Sequence, residues 1–209
     1  VLDAAKRASA QNVVAVIPYF GYGRQDRKDK PRVPISSRLM LDMITAIGVS
    51  RIITMDLHSP QIQGFVNVPF DHLYSRMVLL NKLKGFNLNE ESGVVLAPDV
   101  GSAKMSQSYA KKLNIGFALI DKRRPKPNQA EVANLVGDLK GKDVIIIDDM
   151  IDAAGTLCNA AETAINEGAK SVIAVATHPV LSGGAIKKLK NSPVSKVIVC
   201  DTIKLNENQ

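Results

Sequence analysis

Val144-Ile145-Ile146-Ile147-Asp148-Asp149-Met150-Ile151-Asp152-Ala153-Ala154-Gly155-Thr156 begins as a strand and ends as the opening of a helix. The unbroken β-branched run Val144 to Ile147 suits a strand buried on both faces, as in a parallel sheet covered by helices. It delivers Asp148 and Asp149 into a small-residue loop, after which Leu157 to Glu167 has helical periodicity and Gly168 supplies a stop. Backbone amides in such a loop, with a helix N-terminus behind them, make an anion cradle. The dipole alone contributes about 0.3–2 kcal/mol. Carboxylates beside a phosphate would repel it unless they serve hydroxyls or a cation, and a ribose phosphate presents both the anion and vicinal hydroxyls. An ordinary acidic strand end, with Asp152 as a helix cap, accounts for one of these acids and leaves the other two unexplained.

The same alternation extends outward in both directions. Upstream, Val13 to Pro18 reads as a strand, Tyr19 to Pro34 as a polar loop, Ile35 to Ile47 as a helix stopped by Gly48, and Arg51 to Asp56 as a strand. After Pro69-Phe70-Asp71 the pattern predicts a helix over about Leu73 to Leu83, a strand at Val94 to Ala97, a helix from Ser102 to Leu113 and a strand at Ile115 to Ile120. A basic loop from Asp121 to Gln129 precedes the quoted segment, which begins with a strand at Asp143 to Asp148. Strands at Ser171 to Ala176 and Lys196 to Cys200 follow it. Near-continuous Val/Ile strands separated by helices imply an α/β protein with two doubly wound parallel-sheet domains. The expected division is 1–74 and 75–209, near Tyr74, with no Ser/Gly-rich linker to mark it. The first residue is not methionine, and Val1, Leu2, Ala5 and Ala8 read as the last turns of an amphipathic helix, so an N-terminal truncation is expected.

Composition narrows the classes. The formal charge is +7, but 20 acidic residues are interspersed and aromatic residues are 4% of the chain, which favours several phosphate-bearing ligands over a nucleic-acid track with stacking surface. Cys158 and Cys200 lie in apolar patterns without zinc or redox spacing, which fits a reduced, cytoplasmic setting. No run approaches the roughly 18 apolar residues of a membrane span.

The quoted segment is similar to the ribose-phosphate loop shared by type I phosphoribosyltransferases and ribose-phosphate pyrophosphokinases. The resemblance implies that Asp148 and Asp149 face ribose hydroxyls and that Asp152, Ala153, Ala154, Gly155 and Thr156 hold the 5-phosphate. The family usually has threonine where this chain has Ala153, so one hydroxyl bond to the phosphate is expected to be missing. Three further segments, each after a predicted strand, carry the likeness to the pyrophosphokinase family in particular: Pro18-Tyr19-Phe20-Gly21-Tyr22-Gly23-Arg24-Gln25-Asp26-Arg27-Lys28, Asp56-Leu57-His58-Ser59-Pro60-Gln61-Ile62-Gln63-Gly64-Phe65 and Asp121-Lys122-Arg123-Arg124-Pro125.

On that resemblance Arg24, Gln25 and Asp26 bind ATP, and Tyr19, Phe20 and Tyr22, crowded against glycines, offer a purine platform. His58 and Asp99 serve the magnesium that accompanies ATP, although an imidazole is an unusual ligand for an ion that prefers oxygen. Asp99, Val100, Gly101 and Ser102 form the diphosphate loop, with Ser102 where the family often has a second glycine. Lys122 is the catalytic lysine and Arg124 a substrate contact, on a stretch bounded by Pro125 and Pro127 that reads as a lid. The implied reaction transfers the β,γ-diphosphate of ATP to the anomeric hydroxyl of ribose 5-phosphate. The resemblance further implies Mg2+, a homo-oligomer (a hexamer of dimers), and ADP and phosphate effectors, to which the basic stretch Arg27 to Arg32, with Lys30, is a candidate contributor. It implies neither nucleic acid nor a membrane. It also implies family segments before Val1 and after Gln209. A non-catalytic subunit of the same fold and a phosphoribosyltransferase are the rival expectations. Retention of His58, Asp99, Lys122 and Arg124 argues against the first, and the Arg24 and His58 segments argue against the second.

Overall fold

The computed structural model describes residues 1–123 and 132–206, with the side chains of 122, 123, 132 and 133 outside the description. The chain divides into two compact units, Val1–Ser75 and Arg76–Gln209.

In the first unit a short helix α1 (Leu2–Arg7) precedes strand β1 (Val14–Ile17), helix α2 (Ser36–Ala46), strand β2 (Arg51–Met55), a 3-10 turn (Pro60–Phe65) and strand β3 (Phe70–Leu73). The strands are all parallel, in the order β1-β2-β3. Helix α2 ends at Gly48, whose φ of +87° is the left-handed turn that glycine adopts without strain. The core gathers Val13, Ala15, Phe20, Leu41, Ile44, Val49, Ile52, Leu57 and Ile62. Alternation along β1 buries Val13 and Ala15 and leaves Val14 and Val16 exposed.

The second unit begins with helix α3 (Arg76–Lys84) and strand β4 (Gly93–Ala97), followed by helix α4 (Ala103–Leu113) and strands β5 (Gly116–Arg123) and β6 (Val132–Val136). Strand β7 (Asp143–Ile151), helix α5 (Gly155–Asn166), strand β8 (Ser171–Pro179), helix α6 (Ala185–Lys190) and strand β9 (Val194–Val199) complete it. The sheet order is β6-β5-β4-β7-β8-β9, parallel except for the β5–β6 pair. Successive side chains of a strand face opposite ways. Accordingly Leu96, Val144 and Ile146 join Leu157, Ala160, Ala161 and Ala164 of α5 on one face. Val95, Ile145 and Ile147 join Leu79, Leu80 and Leu83 of α3 and Tyr109 and Ala110 of α4 on the other. The fully buried alanines of α5 let that helix lie close to the sheet. From β4 the chain moves to β5 and β6 on one side and then returns to place β7 on the other. The order reverses there, and in such sheets the crevice at the strands' carboxyl ends is the ligand position.

Four details depart from the expected elements. Phe70–Leu73 is a strand, and the helix expected from Leu73 starts at Arg76. Residues Asp121 to Arg123, expected in a loop, are the last residues of β5 and pair with Asn134, Ala133 and Val132 of β6. Arg124 to Gln129 lie outside the described residues. Strand β7 runs past Asp148 and Asp149 to Ile151, because β8 pairs with it as far as Pro179. Among the described residues no helix is long and apolar enough to cross a membrane.

Candidate functional site

The loop between β7 and α5 is built to leave amides unbonded. Ala154 is the N-cap, in the left-handed region at φ +58°, and no side chain caps the helix. The first intrahelical bond runs from the Cys158 amide to Ala154 O at 3.0 Å. The amides of Gly155, Thr156 and Leu157, which precede it, therefore lack helical acceptors. Among the described residues, a Cβ added at Gly155 would meet nothing within 4 Å. Thr156 is exposed and Ala154 buried. Amides without acceptors at a helix N-terminus are the arrangement that can receive an anion.

The segment after β8 holds the loop from the side. The Leu181 amide donates to Ile151 O at 2.8 Å. The Ser182 hydroxyl donates to Asp152 Oδ1, and Lys188 Nζ donates to Ala153 O at 3.1 Å. Asp152 is thus tied to Ser182 rather than capping α5.

At the end of β7, Asp148 Oδ1 accepts from the Asp149 amide at 2.9 Å. Burial, then the charge of Asp149 and a side-chain hydrogen bond with it, and more weakly the charge of Asp99, push the Asp148 carboxyl up from its ordinary 3.8 to about 8. The shift favours the protonated form of Asp148, which can donate to a sugar oxygen and lessens the acid pair's repulsion toward a phosphate nearby. The influence of Asp99 follows from the register: β4 and β7 are parallel neighbours with Leu96 opposite Ile146, so the residues that follow β4 emerge beside Asp148 and Asp149 of β7.

The linkage sign is fixed by this shift. The folded protein binds a proton that the unfolded chain has released between pH 3.8 and about 8, so this group's contribution is most favourable below 3.8 and is lost as the pH rises through about 8. Asp148→Asn is therefore expected to melt above wild type by several degrees at pH 8.5, with the gap closing toward pH 4. Thermal melts across pH test it, and equal melting at pH 8.5 would contradict the assignment.

Asp99 closes its own turn. Its Oδ1 accepts from the Ser102 amide at 3.0 Å, and the Ser102 hydroxyl donates to Asp99 O at 3.0 Å. Of the expected diphosphate loop, the Ser102 amide is therefore engaged by Asp99 in this structure. Gly101 leaves room for the turn, since a Cβ there would lie 3.2 Å from Asp99 Oδ1. Val100 is exposed.

In the first unit the loops after β1 and β2 come together. Gln61 Nε2 donates to Asp26 Oδ2 at 2.6 Å. Burial pushes the Asp26 carboxyl up, but hydrogen bonds from Ser59 and Gln61, its own backbone amide and the Arg27 charge together bring it below the usual value. The carboxylate of Asp26 thus joins the two loops. Arg24 and Gln25 are exposed, and the Gln25 carbonyl accepts from the amide and hydroxyl of Ser37 at 3.2 and 2.9 Å. Gly23 sits where a Cβ would come within 3.2 Å of Phe20 O and 3.9 Å of His58 Cβ. His58 is exposed in the turn after β2. His58 and Asp99 belong to different units, and among the described residues no three His, Cys, Asp or Glu side chains converge to hold a metal.

The sequence did not single out His72. Its Nε2 accepts from the Leu57 amide at 2.9 Å, its ring packs tilted against Tyr74 with centroids 4.4 Å apart, and burial lowers its pKa against the opposing charge of Asp56. A neutral ring is needed for that bond, which secures the start of the His58 segment. Ser182 and Lys188 also went unnoticed, because their role arises from a contact about thirty residues distant in sequence. Lys122 lies on β5 opposite Ala133. Arg124 is outside the described residues.

Comparison with known proteins gives a consistent result. Residues 1–48 match the N-terminal domain of ribose phosphate pyrophosphokinase, and residues 79–208 match the phosphoribosyl transferase domain. A ribose-phosphate pyrophosphokinase of Chlorobaculum tepidum is 51% identical over 97% of this chain and 62% of its own length. One from Aquifex aeolicus is 50% identical over 100% of this chain and 67% of its own. The crystal structure of phosphoribosylpyrophosphate synthetase from Mycobacterium smegmatis superposes with a TM-score of 0.90 at 38% identity, covering 99% of this chain and 67% of that one. The chain thus spans about two thirds of the length of these relatives. With identity near one half sustained across both units, and the two domain matches in one order, the chain belongs to the ribose-phosphate pyrophosphokinase family.

Proposed function

We propose that the protein transfers the β,γ-diphosphate of ATP to the anomeric hydroxyl of ribose 5-phosphate, yielding 5-phosphoribosyl 1-diphosphate and AMP for nucleotide biosynthesis. The observation that carries this reading is the uncapped N-terminus of α5, opened by Ala154 and set beside the Asp148–Asp149 pair at the sheet's reversal point. An anion cradle and sugar-hydroxyl partners within one loop fit ribose 5-phosphate, and the family likeness supplies ATP as the second substrate.

The 5-phosphate rests on the amides of 152–156 and on the Thr156 hydroxyl. Asp148 and Asp149 orient the ribose hydroxyls. The anomeric oxygen attacks the β-phosphorus in line, the bond from that phosphorus to the oxygen bridging it to the α-phosphorus breaks, and AMP leaves. Arg24 and Gln25 hold ATP, while Asp26 acts on them by joining their loop to Gln61. The 99–102 turn receives the diphosphate. Lys122 and Arg124 offset the charge that spreads over the transferred group, since phosphoryl chemistry asks a protein mainly for positioning and electrostatics.

A carboxylate oxygen at Asp99 suits Mg2+, which takes few protein oxygens and completes its shell with phosphates and water. His58 is a weaker match and would act through water or substrate. When bound, the ion supplies charge neutralisation on the nucleotide phosphates. Assembly with further copies of the chain, and regulation by ADP and phosphate, belong to the same proposal and rest on the family likeness. The full-length protein is expected to release AMP from ATP in magnesium only when ribose 5-phosphate is present. Release independent of the sugar phosphate, measured by chromatography of the nucleotides, would contradict the reading.

A further inference from the structure

We infer that Ser182 and Lys188 are positioning residues that set the anion-binding shape of the 152–156 loop and so govern affinity for the sugar phosphate. The inference rests on the assignment of that loop to ribose 5-phosphate. Three successive residues, the last of β7 and the first two of the loop, are each gripped by one segment: Ile151 O by the Leu181 amide, Asp152 Oδ1 by the Ser182 hydroxyl, and Ala153 O by Lys188 Nζ.

A trans peptide points its C=O and its N–H in opposite directions within one plane, and the described residues have no cis peptide bonds. Drawing Ile151 O toward Leu181 therefore turns the Asp152 N–H the other way, and drawing Ala153 O toward Lys188 turns the Ala154 N–H away from α6. Both amides are thereby aimed before any ligand arrives, so their ordering is not charged against binding. The Ser182 contact does a different task. It ties the Asp152 carboxylate to the segment after β8, so that this negative charge is held by a donor at the edge of an anion cradle. Leu181 sits at φ +49°, a conformation a leucine rarely adopts, which turns the chain so that Ser182 directly follows the backbone contact. Lys188 acts through an exposed ammonium, and its charge also favours an anion at the adjacent helix N-terminus. Where family members usually have a threonine hydroxyl in the loop, this chain has Ala153, and its carbonyl is the atom Lys188 holds.

The test is steady-state kinetics of the full-length protein, with ribose 5-phosphate binding measured by calorimetry in parallel. Lys188→Met is expected to weaken ribose 5-phosphate binding and raise its KM about 10-fold, as suits one lost charged hydrogen bond, and Ser182→Ala by a few-fold. KM for ATP is expected to stay within about two-fold and the loss in kcat/KM to arise through the sugar-phosphate KM. Lys188→Arg is expected to recover most of the affinity, since it restores the donor and the charge. A merely structural role would instead lower the melting temperature and depress both substrates' parameters together. Unchanged ribose 5-phosphate affinity in both Lys188→Met and Ser182→Ala, in a wild type that binds the sugar phosphate, overturns the positioning role alone. A wild type that gives no ribose 5-phosphate binding heat overturns the loop assignment and the positioning role with it.

Discussion

Lys122→Ala is expected to keep ribose 5-phosphate affinity within a few-fold of wild type while AMP formation falls by about 10³-fold or more. The separation follows from where the residue stands. Lys122 is on β5, which neighbours β4 in the sheet, whereas the 5-phosphate loop follows β7 on the other side of β4. On the proposed reading it serves the transferring diphosphate and not the sugar's phosphate. A cation there meets charge that is larger in the transition state than in either ground state, and only such differential stabilisation raises turnover. Lys122→Arg keeps the charge but replaces a compact ammonium with a planar fork, so partial recovery is expected. Single-turnover AMP release and calorimetry with ribose 5-phosphate read the two quantities separately. A loss below ten-fold in the chemical step would remove Lys122 from the catalytic role.

Gly155→Asp is expected to fold as well as wild type and to lose ribose 5-phosphate binding by at least about 100-fold. Gly155 is the first residue of α5, and a Cβ there would meet nothing within 4 Å, so a side chain is accommodated without collision. A carboxylate in the first turn of a helix is favourable for the helix, by about 0.3–1 kcal/mol. Yet it occupies the cradle with the wrong sign: two negative charges about 4–5 Å apart repel by roughly 3–4 kcal/mol at an effective dielectric of 20. Stability and affinity are thus expected to move in opposite directions, an outcome that damage to the fold does not produce. Retained affinity in a well-folded Gly155→Asp protein would place the sugar phosphate elsewhere.

Much of this frame was legible in the residues. The run Val144 to Ile147 is apolar on both faces because helices cover both faces, and the same reason makes Val94 to Ala97 readable. The small residues Ala153 to Gly155 imply an opening with little side-chain bulk, and α5 begins there without a side-chain cap. What was not legible depended on partners distant in sequence. Strand β7 continues through Asp148 and Asp149 only because β8 runs alongside it to Pro179, and no local propensity favours two aspartates in a strand. Phe70–Leu73 carries Asp71 and His72 in mid-strand, and its identity comes from pairing with β2 at the sheet's margin. The antiparallel pairing of Asp121 to Arg123 with β6 gives a basic tripeptide a strand conformation that its composition does not suggest. Helix α6 is six residues long and half lysine, too short for periodicity to reveal it. The grip of Ser182 and Lys188 on the phosphate loop is invisible for the same reason.

The central claim is transfer of an intact diphosphate to the anomeric hydroxyl, and it is tested most directly by following ATP labelled at the β-phosphorus in the presence of ribose 5-phosphate and magnesium. The account predicts that the label leaves the nucleotide with the γ-phosphate still attached and appears as an acid-labile diphosphate on the sugar, with unlabelled AMP in equal amount. Label retained in ADP, with a single phosphate transferred, would contradict it.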